Sequence, residues 1–189
     1  MLTVEQKNNN EIKFMELLTR LNIDLTELNK FLDEVDYFNK PASTQYMGAY
    51  PGGLCEHALI VAHELGVLCN AYYPGRYTEE DVIKVALLKD IYKATMYEAY
   101  MKNVKDDTTG QWTTMPAYKT RESTARPVFG DFALSSYFQI KNFISLTDEQ
   151  SLAIIHSTGN FPPDIHDVMR TYPLVALTRM AEMATLYIN

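Results

Sequence analysis

The stretch VALLKDIYKA, residues 85–94, places Lys89 and Asp90 inside a segment that otherwise reads as a buried helix. Val82, Ile83, Val85, Ala86, Leu87 and Leu88 precede the pair and Ile91 follows it. Charged side chains are almost never fully buried unless they are paired or engaged in chemistry. The reading of this pair decides how the surrounding helices are assembled.

The chain has 189 residues, enough for one domain with a sizeable core. Seventeen basic against 24 acidic residues leave a net charge of −7, which disfavours a sequence-independent nucleic-acid binder. A local basic pocket for a phosphorylated small molecule remains compatible with that balance. The opening MLTVEQKNNN is polar with no apolar run behind it, so no signal peptide is expected. No segment has the length and apolarity of a membrane span. Cys55 and Cys69 fall on one predicted helix, ~21 Å apart at 1.5 Å per residue, too far to pair. The expectation is a reduced, cytoplasmic protein; its oligomeric state is left open.

The elements around the pair are mostly helical. A first helix is predicted over residues 9–21, with Ile12, Met15, Leu18 and Leu21 near helical spacing. A second follows DLTE, where Asp24 and Glu27 form a candidate capping box and Leu28, Phe31, Leu32 and Val35 an apolar side. NKPASTQYMGAYPGG, rich in turn formers, reads as an ordered connection. A third helix starts near Gly53, with Leu54, Ala58, Val61, Leu65 and Leu68 on one face. Thr78 caps a fourth, which carries the opening stretch and is predicted to run to about Met101. KNVKDDTTGQWTTMPAY reads as a β-hairpin. Helical character resumes over residues 132–143, TDEQ caps another helix at Thr147, and Pro173 opens a last one carrying Leu174, Leu177, Met180 and Leu186. The fold class expected is mainly α, a single-domain helical bundle with one small hairpin; residues 1–40 supply helices packed on a core formed by residues 41–189.

Three predicted helices each carry an ionisable group where core is expected: His57, the Lys89–Asp90 pair, and Glu182 in LTRMAEMATLYI. Helix bundles build metal and ligand sites from such inward groups. His63 reads as a surface or boundary residue, and His166 falls in a polar loop segment. Each histidine taken singly also has a purely structural reading.

YPGGLCEHALIVAHELG followed by VALLKDIYKA resembles the HD-domain superfamily of metal-dependent phosphohydrolases, particularly its small phage-type members. The hairpin and LTDEQSLAI resemble the same group, over roughly residues 41–188. The resemblance implies an HD-like bundle and a metal set of His57, Asp90 and Glu182, the last standing where an aspartate is expected. The histidine that normally precedes the aspartate is Lys89 here, and Lys93 matches a lysine able to contact phosphate. Asp90 and Lys93 are then the candidate catalytic residues. Met47 replaces a histidine upstream, Asp131 or Phe132 occupies another histidine position, and His156 lies near a third. Candidate ligand-binding residues are Lys89, Lys93 and Arg126 for charge and Tyr97 and Trp112 for stacking; Trp112 has an equal reading as a hairpin residue packing the core.

Lysine ligates a metal only after losing its proton, which from a pKa near 10.4 costs about 4.6 kcal/mol at neutral pH. An unchanged metal mechanism is therefore not expected, and no cofactor is assigned. The alternative is a divalent cation (Mn, Fe or Mg) held by His57, Asp90 and Glu182. The favoured reading makes the Lys89 ammonium a substitute for the ion, neutralising both carboxylates. Against it stand a Lys89 that snorkels to the surface and an Arg179–Glu182 pair on the helix surface. The function expected is that of a degenerate HD-fold protein without the usual hydrolysis. It would keep a pocket for a nucleotide or phosphorylated ligand, or a role in protein interaction; the alternative is an active phosphohydrolase with an altered site.

Overall fold

In a computed structural model, residues 2–105, 107–122, 131–159 and 162–188 are described. Helices α1 (Val4–Thr19) and α2 (Thr26–Glu34) lead through a 3-10 turn at Tyr37–Asn39 to the long α3 (Gly53–Tyr72). Short α4 (Glu79–Val82) runs into a π-helical turn at Ile83–Leu87, followed by α5 (Lys93–Met96). Strands β1 (Tyr97–Lys105) and β2 (Trp112–Thr120) form one antiparallel hairpin. Helices α6 (Phe132–Ile140), α7 (Asp148–Ile155), α8 (Ile165–Thr171) and α9 (Pro173–Tyr187) complete the chain. The expected mainly helical architecture with one small hairpin is present.

Helix α3 is the axis of the bundle, packing against α9, the π turn and α1. Its inward positions Leu54, Ala58, Val61 and Leu65 recur at helical spacing and are buried. Each large aliphatic among them contributes about 1.5–3 kcal/mol by leaving water. The N-terminal helices join the same continuous core. Phe14 and Tyr37 are fully buried with ring centroids 5.1 Å apart, and Phe38 meets Phe14 edge-on at 5.5 Å.

Helix boundaries depart from the sequence pattern where local chemistry wins. A capping box between Thr3 and Gln6 starts α1 before residue 9, and buried Phe14 replaces Ile12, which is 55% exposed. Asp24 accepts the N–H of Thr26 in a tight turn, so the expected Asp24–Glu27 box does not form. The predicted cap at Thr78 and box at Thr147 do open α4 and α7, and the Thr78 cap is itself a reciprocal box with Asp81. The fourth helix does not reach Met101. After the π turn the chain folds into turns and then β1, whose residues pair with the Thr- and Tyr-bearing β2 from Tyr97–Thr120 to Lys105–Trp112. Cross-strand pairing overrides the helix propensity of Glu98, Ala99, Met101 and Lys102. His166 lies on α8 rather than in a loop, exposed beside buried Ile165. On α9, Leu174 and Leu177 are buried, whereas Met180 and Leu186 face outward.

The connection before α3 is ordered by close backbone approach. Ala42 N–H donates to Gly48 O at 2.8 Å, and Leu54 N–H to Lys40 O at 3.0 Å. A Cβ on Gly53 would come within 2.2 Å of Gly48 O, so the first turn of α3 and this loop fit together only with glycine there. Gly66, midway along α3, faces open space. Gly53→Ala is therefore expected to destabilise the fold by about 1–3 kcal/mol, and Gly66→Ala to stabilise it by about 0.5–1 kcal/mol. Thermal melting of the two variants checks the opposite signs.

Candidate functional site

His57, Asp90 and Glu182 converge in the core from α3, the segment after the π turn, and α9. One ligand atom from each lies within 4.8 Å of the others. The local backbone explains why neighbouring residues 89 and 90 both reach this point. In a regular helix they would diverge by about 100°. Here the π turn widens the helix, and successive short bonds then tighten it, from Ile91 N–H to Leu88 O, Lys93 N–H to Asp90 O and Ala94 N–H to Ile91 O.

Lys89 is the centre of the cluster. It is fully buried, with Nζ 2.5 Å from Asp90 Oδ2 and 2.6 Å from Glu182 Oε2. His57 Nε2 stands 3.1 Å from the same Glu182 oxygen and 3.5 Å from Asp90 Oδ2. Lys93 Nζ approaches Asp90 Oδ1 at 3.0 Å and lies 5.0 Å from the centre of the Phe132 ring. That oxygen receives no well-aligned hydrogen bond, so its contact with Lys93 is an ion pair rather than a directed bond. Tyr37 adds a buried hydroxyl with no hydrogen-bond partner among the described residues; burial, then nearby Cys55 and Asp90, hold it protonated.

The charges support one another against burial. Desolvation pushes the Glu182 carboxyl up, but Lys89 and the bond from His57 bring it down to about 2. Asp90 is likewise held well below the carboxylate range, with burial opposed by Lys89, Lys93 and His57. Burial disfavours the Lys89 ammonium, yet Asp90 and Glu182 raise its pKa above the ordinary 10.5. Burial also disfavours protonated His57, but its bonds to Asp90 and Glu182 outweigh burial and the repulsion of Lys89, so its pKa rises above 6.5.

The snorkelling alternative fails, and no exposed Arg179–Glu182 bridge forms, since Glu182 is buried and Arg179 only feels its charge. Lys89 does not reach the surface, and Arg179 directs its guanidinium to the backbone carbonyls of His156, Thr158 and Gly159 at 3.0, 3.2 and 2.9 Å. The other candidates scatter. Asp131 caps α6 by accepting Leu134 N–H at 2.9 Å. His156 ends α7, where burial lowers its pKa against the pull of Asp164 and Asp131. Asp131 and His156 thus share a neighbourhood that borders the cluster through Phe132, which lies against Lys93, and through Arg179, which donates to His156 O, but neither contacts Lys89 directly. Met47 is half-buried in the loop before α3, its carbonyl accepting from Ser43 Oγ at 3.0 Å. Arg126 lies outside the described residues. Tyr97 is half-buried at the base of the hairpin, whereas Trp112 is 70% exposed at its far end, about 27 Å away at 3.4 Å per residue. Tyr97 and Trp112 therefore do not stack on one base, and Trp112 does not pack the core. A surface groove of about 1290 Å3 runs along α1, the outer side of α3 and α4, and none of its lining residues belongs to the cluster.

No family model, curated protein or solved structure matches the chain. The site is therefore read from its own geometry. His57, Asp90 and Glu182 form a donor set suited to a divalent cation, but the Lys89 ammonium already contacts two of its three members. With that lysine protonated the residues do not fit a cation. Sequence reasoning also missed Lys84, which is buried with its ammonium 2.7 Å from Glu80 and donating to Ser145 O. It missed Tyr37 too, which no local motif connects to Asp90.

Lys89→Met should destabilise the protein by about 3–5 kcal/mol, because it leaves two buried carboxylates without their cation. The pH dependence has two limbs. Glu182 is more acidic folded than unfolded, so its contribution is present above 4.5 and is lost as pH falls toward about 2. His57 is more basic folded, so its contribution is complete below 6.5 and is lost as pH rises through its elevated pKa. Urea denaturation between about pH 3 and pH 9 should show both declines, and His57→Gln should remove the dependence that begins above 6.5.

Proposed function

We propose that the chain is a non-hydrolysing HD-like protein that works by binding a partner rather than by turnover. The observation that carries this reading is the Lys89 ammonium, at 2.5 and 2.6 Å from the carboxylates of Asp90 and Glu182. In the phosphohydrolases that the sequence resembles, that position belongs to the metal. A hydrolytic centre needs a cation with an open coordination position to polarise water. Here both carboxylates are spent on lysine, His57 is bonded between them, and the whole group is sealed in the core. Lys93, the candidate phosphate contact, is committed to Asp90 and the Phe132 ring. These commitments favour a protein partner over a nucleotide held at the cluster.

A second reading keeps catalysis. The ligand atoms of His57, Asp90 and Glu182 are close enough to share one ion, so displacement of the ammonium would leave a three-ligand site. Metal analysis of protein purified without chelator and offered Mn, Fe or Mg separates the two readings. A hydrolysis screen over nucleoside monophosphates and cyclic nucleotides completes the test. The expected outcome is no stoichiometric metal and no turnover. Lys89→His should restore a histidine–aspartate pair and take up metal. Stoichiometric metal in the unaltered protein, with turnover abolished by Asp90→Ala, overturns the proposal.

A further inference from the structure

Helix α9 is apolar on its outer side as well as its inner one. Over Pro173–Tyr187 it carries two charged residues, Arg179 and Glu182. Glu182 is buried against Lys89, and the Arg179 guanidinium is turned to the carbonyls of His156, Thr158 and Gly159. What the helix shows to water is Met180, 40% exposed, Met183 at 59%, Leu186 at 40%, Tyr187 at 79% and, at its C-cap, Ile188 at 81%. A surface helix ordinarily sets charged or polar residues opposite its buried side, and a helix that is apolar all round belongs in an interior. Helix α1 has the ordinary arrangement, with Glu5, Lys13 and Glu16 exposed.

The outer residues have the spacing of a helix–helix seam. Ala176, Met180, Met183 and Tyr187 follow one another by four, three and four positions, the alternation with which one helix packs along another. Reversed, this seam is complementary to itself. A two-fold axis level with the midpoint between Met180 and Met183 sets Met180 against the partner's Met183. The same axis sets small, half-buried Ala176 against the partner's large, exposed Tyr187. An isologous contact demands such self-complementarity.

Area points to the same occupant. At roughly 200 Å2 for a side chain of this size, these exposures leave about 600 Å2 of apolar surface on each copy. Pairing two copies removes about 1200 Å2 from water, the lower end of the range for a specific and stable interface. An anionic membrane is the poorer fit, because helices that lie on such surfaces carry a basic flank. Here α9 has a single basic residue in a chain of net charge −7.

We propose that the protein forms a two-fold dimer by antiparallel packing of α9 on α9 of a second copy. Glu182 faces the interior from the other side of the helix, so the dimer is independent of what the Lys89 cluster does.

Light scattering behind size exclusion should show a monomer–dimer equilibrium at micromolar concentration. It should persist in about 1 M sodium chloride, since the contact has no charge pair to screen. Met183→Glu should weaken association about tenfold or more, because the two-fold buries two unpaired carboxylates. Met180→Lys should weaken it similarly. Both side chains are exposed, so the melting of dilute monomer should not change. With both substitutions in one chain, each lysine faces the partner's glutamate, and association should be tighter than with either alone. A parallel pairing would instead set lysine against lysine. A monomer up to about 1 mM, a dimer indifferent to Met183→Glu, a dimer lost in high salt, or a double variant no tighter than the single ones would each overturn the proposal. So would phosphatidylcholine vesicles that bind the unaltered protein but not Met183→Glu, which would make the face a membrane-docking one.

Discussion

The contact between the Lys89 ammonium and the carboxylates of Asp90 and Glu182 is the constraint around which the bundle is arranged. An isolated buried charge costs several kcal/mol, and two carboxylates together cost more. Lys89 and Lys93 balance Asp90 and Glu182, and His57 bridges the two acids. Since Glu182 comes from α9, His57 from α3 and Lys89 from the segment behind the π turn, electrostatic balance requires all three elements in one register. Apolar packing alone would tolerate small slips between α3 and α9. A buried ion pair does not, because a slip would strand a charge.

That requirement gives a physical role to irregularities elsewhere. The π turn at Ile83–Leu87 interrupts a helix whose composition would let it continue, and thereby allows adjacent residues to address one centre. Gly53 lets the start of α3 press against the backbone at Gly48, which sets where His57 enters the core. The N-terminal aromatics close the same region, since Tyr37 places its hydroxyl near Asp90 while its ring packs on Phe14. The charged centre is thus enclosed on several sides, and its low exposure follows from the fold rather than from any single residue.

The surface divides differently. His57, Lys89, Asp90 and Glu182 lie in a sealed interior, whereas exposed aromatic and methionine side chains are spread over the hairpin (Tyr100, Met101, Trp112, Met115), the end of α3 (Tyr72, Tyr73) and α9 (Met180, Met183, Tyr187). No helix among the described residues is long and apolar enough to cross a membrane.

Sequence by itself determined the helical class, the start of α3 at Gly53, the caps at Thr78 and Thr147, the presence of a hairpin and the four ionisable residues, His57, Lys89, Asp90 and Glu182, that interrupt apolar stretches. These follow from local rules of periodicity, capping and turn chemistry that act within a few residues. Tertiary structure alone decided the rest. It ended the fourth helix before β1, because strand pairing with residues far along the chain outweighed local propensity. It left Trp112 exposed about 27 Å from Tyr97, and it turned Arg179 to backbone carbonyls rather than to Glu182. Above all it chose between a lysine that escapes to water and one held in the core between two carboxylates. That choice depends on whether Glu182, 93 positions later in the chain, is delivered to the same point, and helix packing alone settles it.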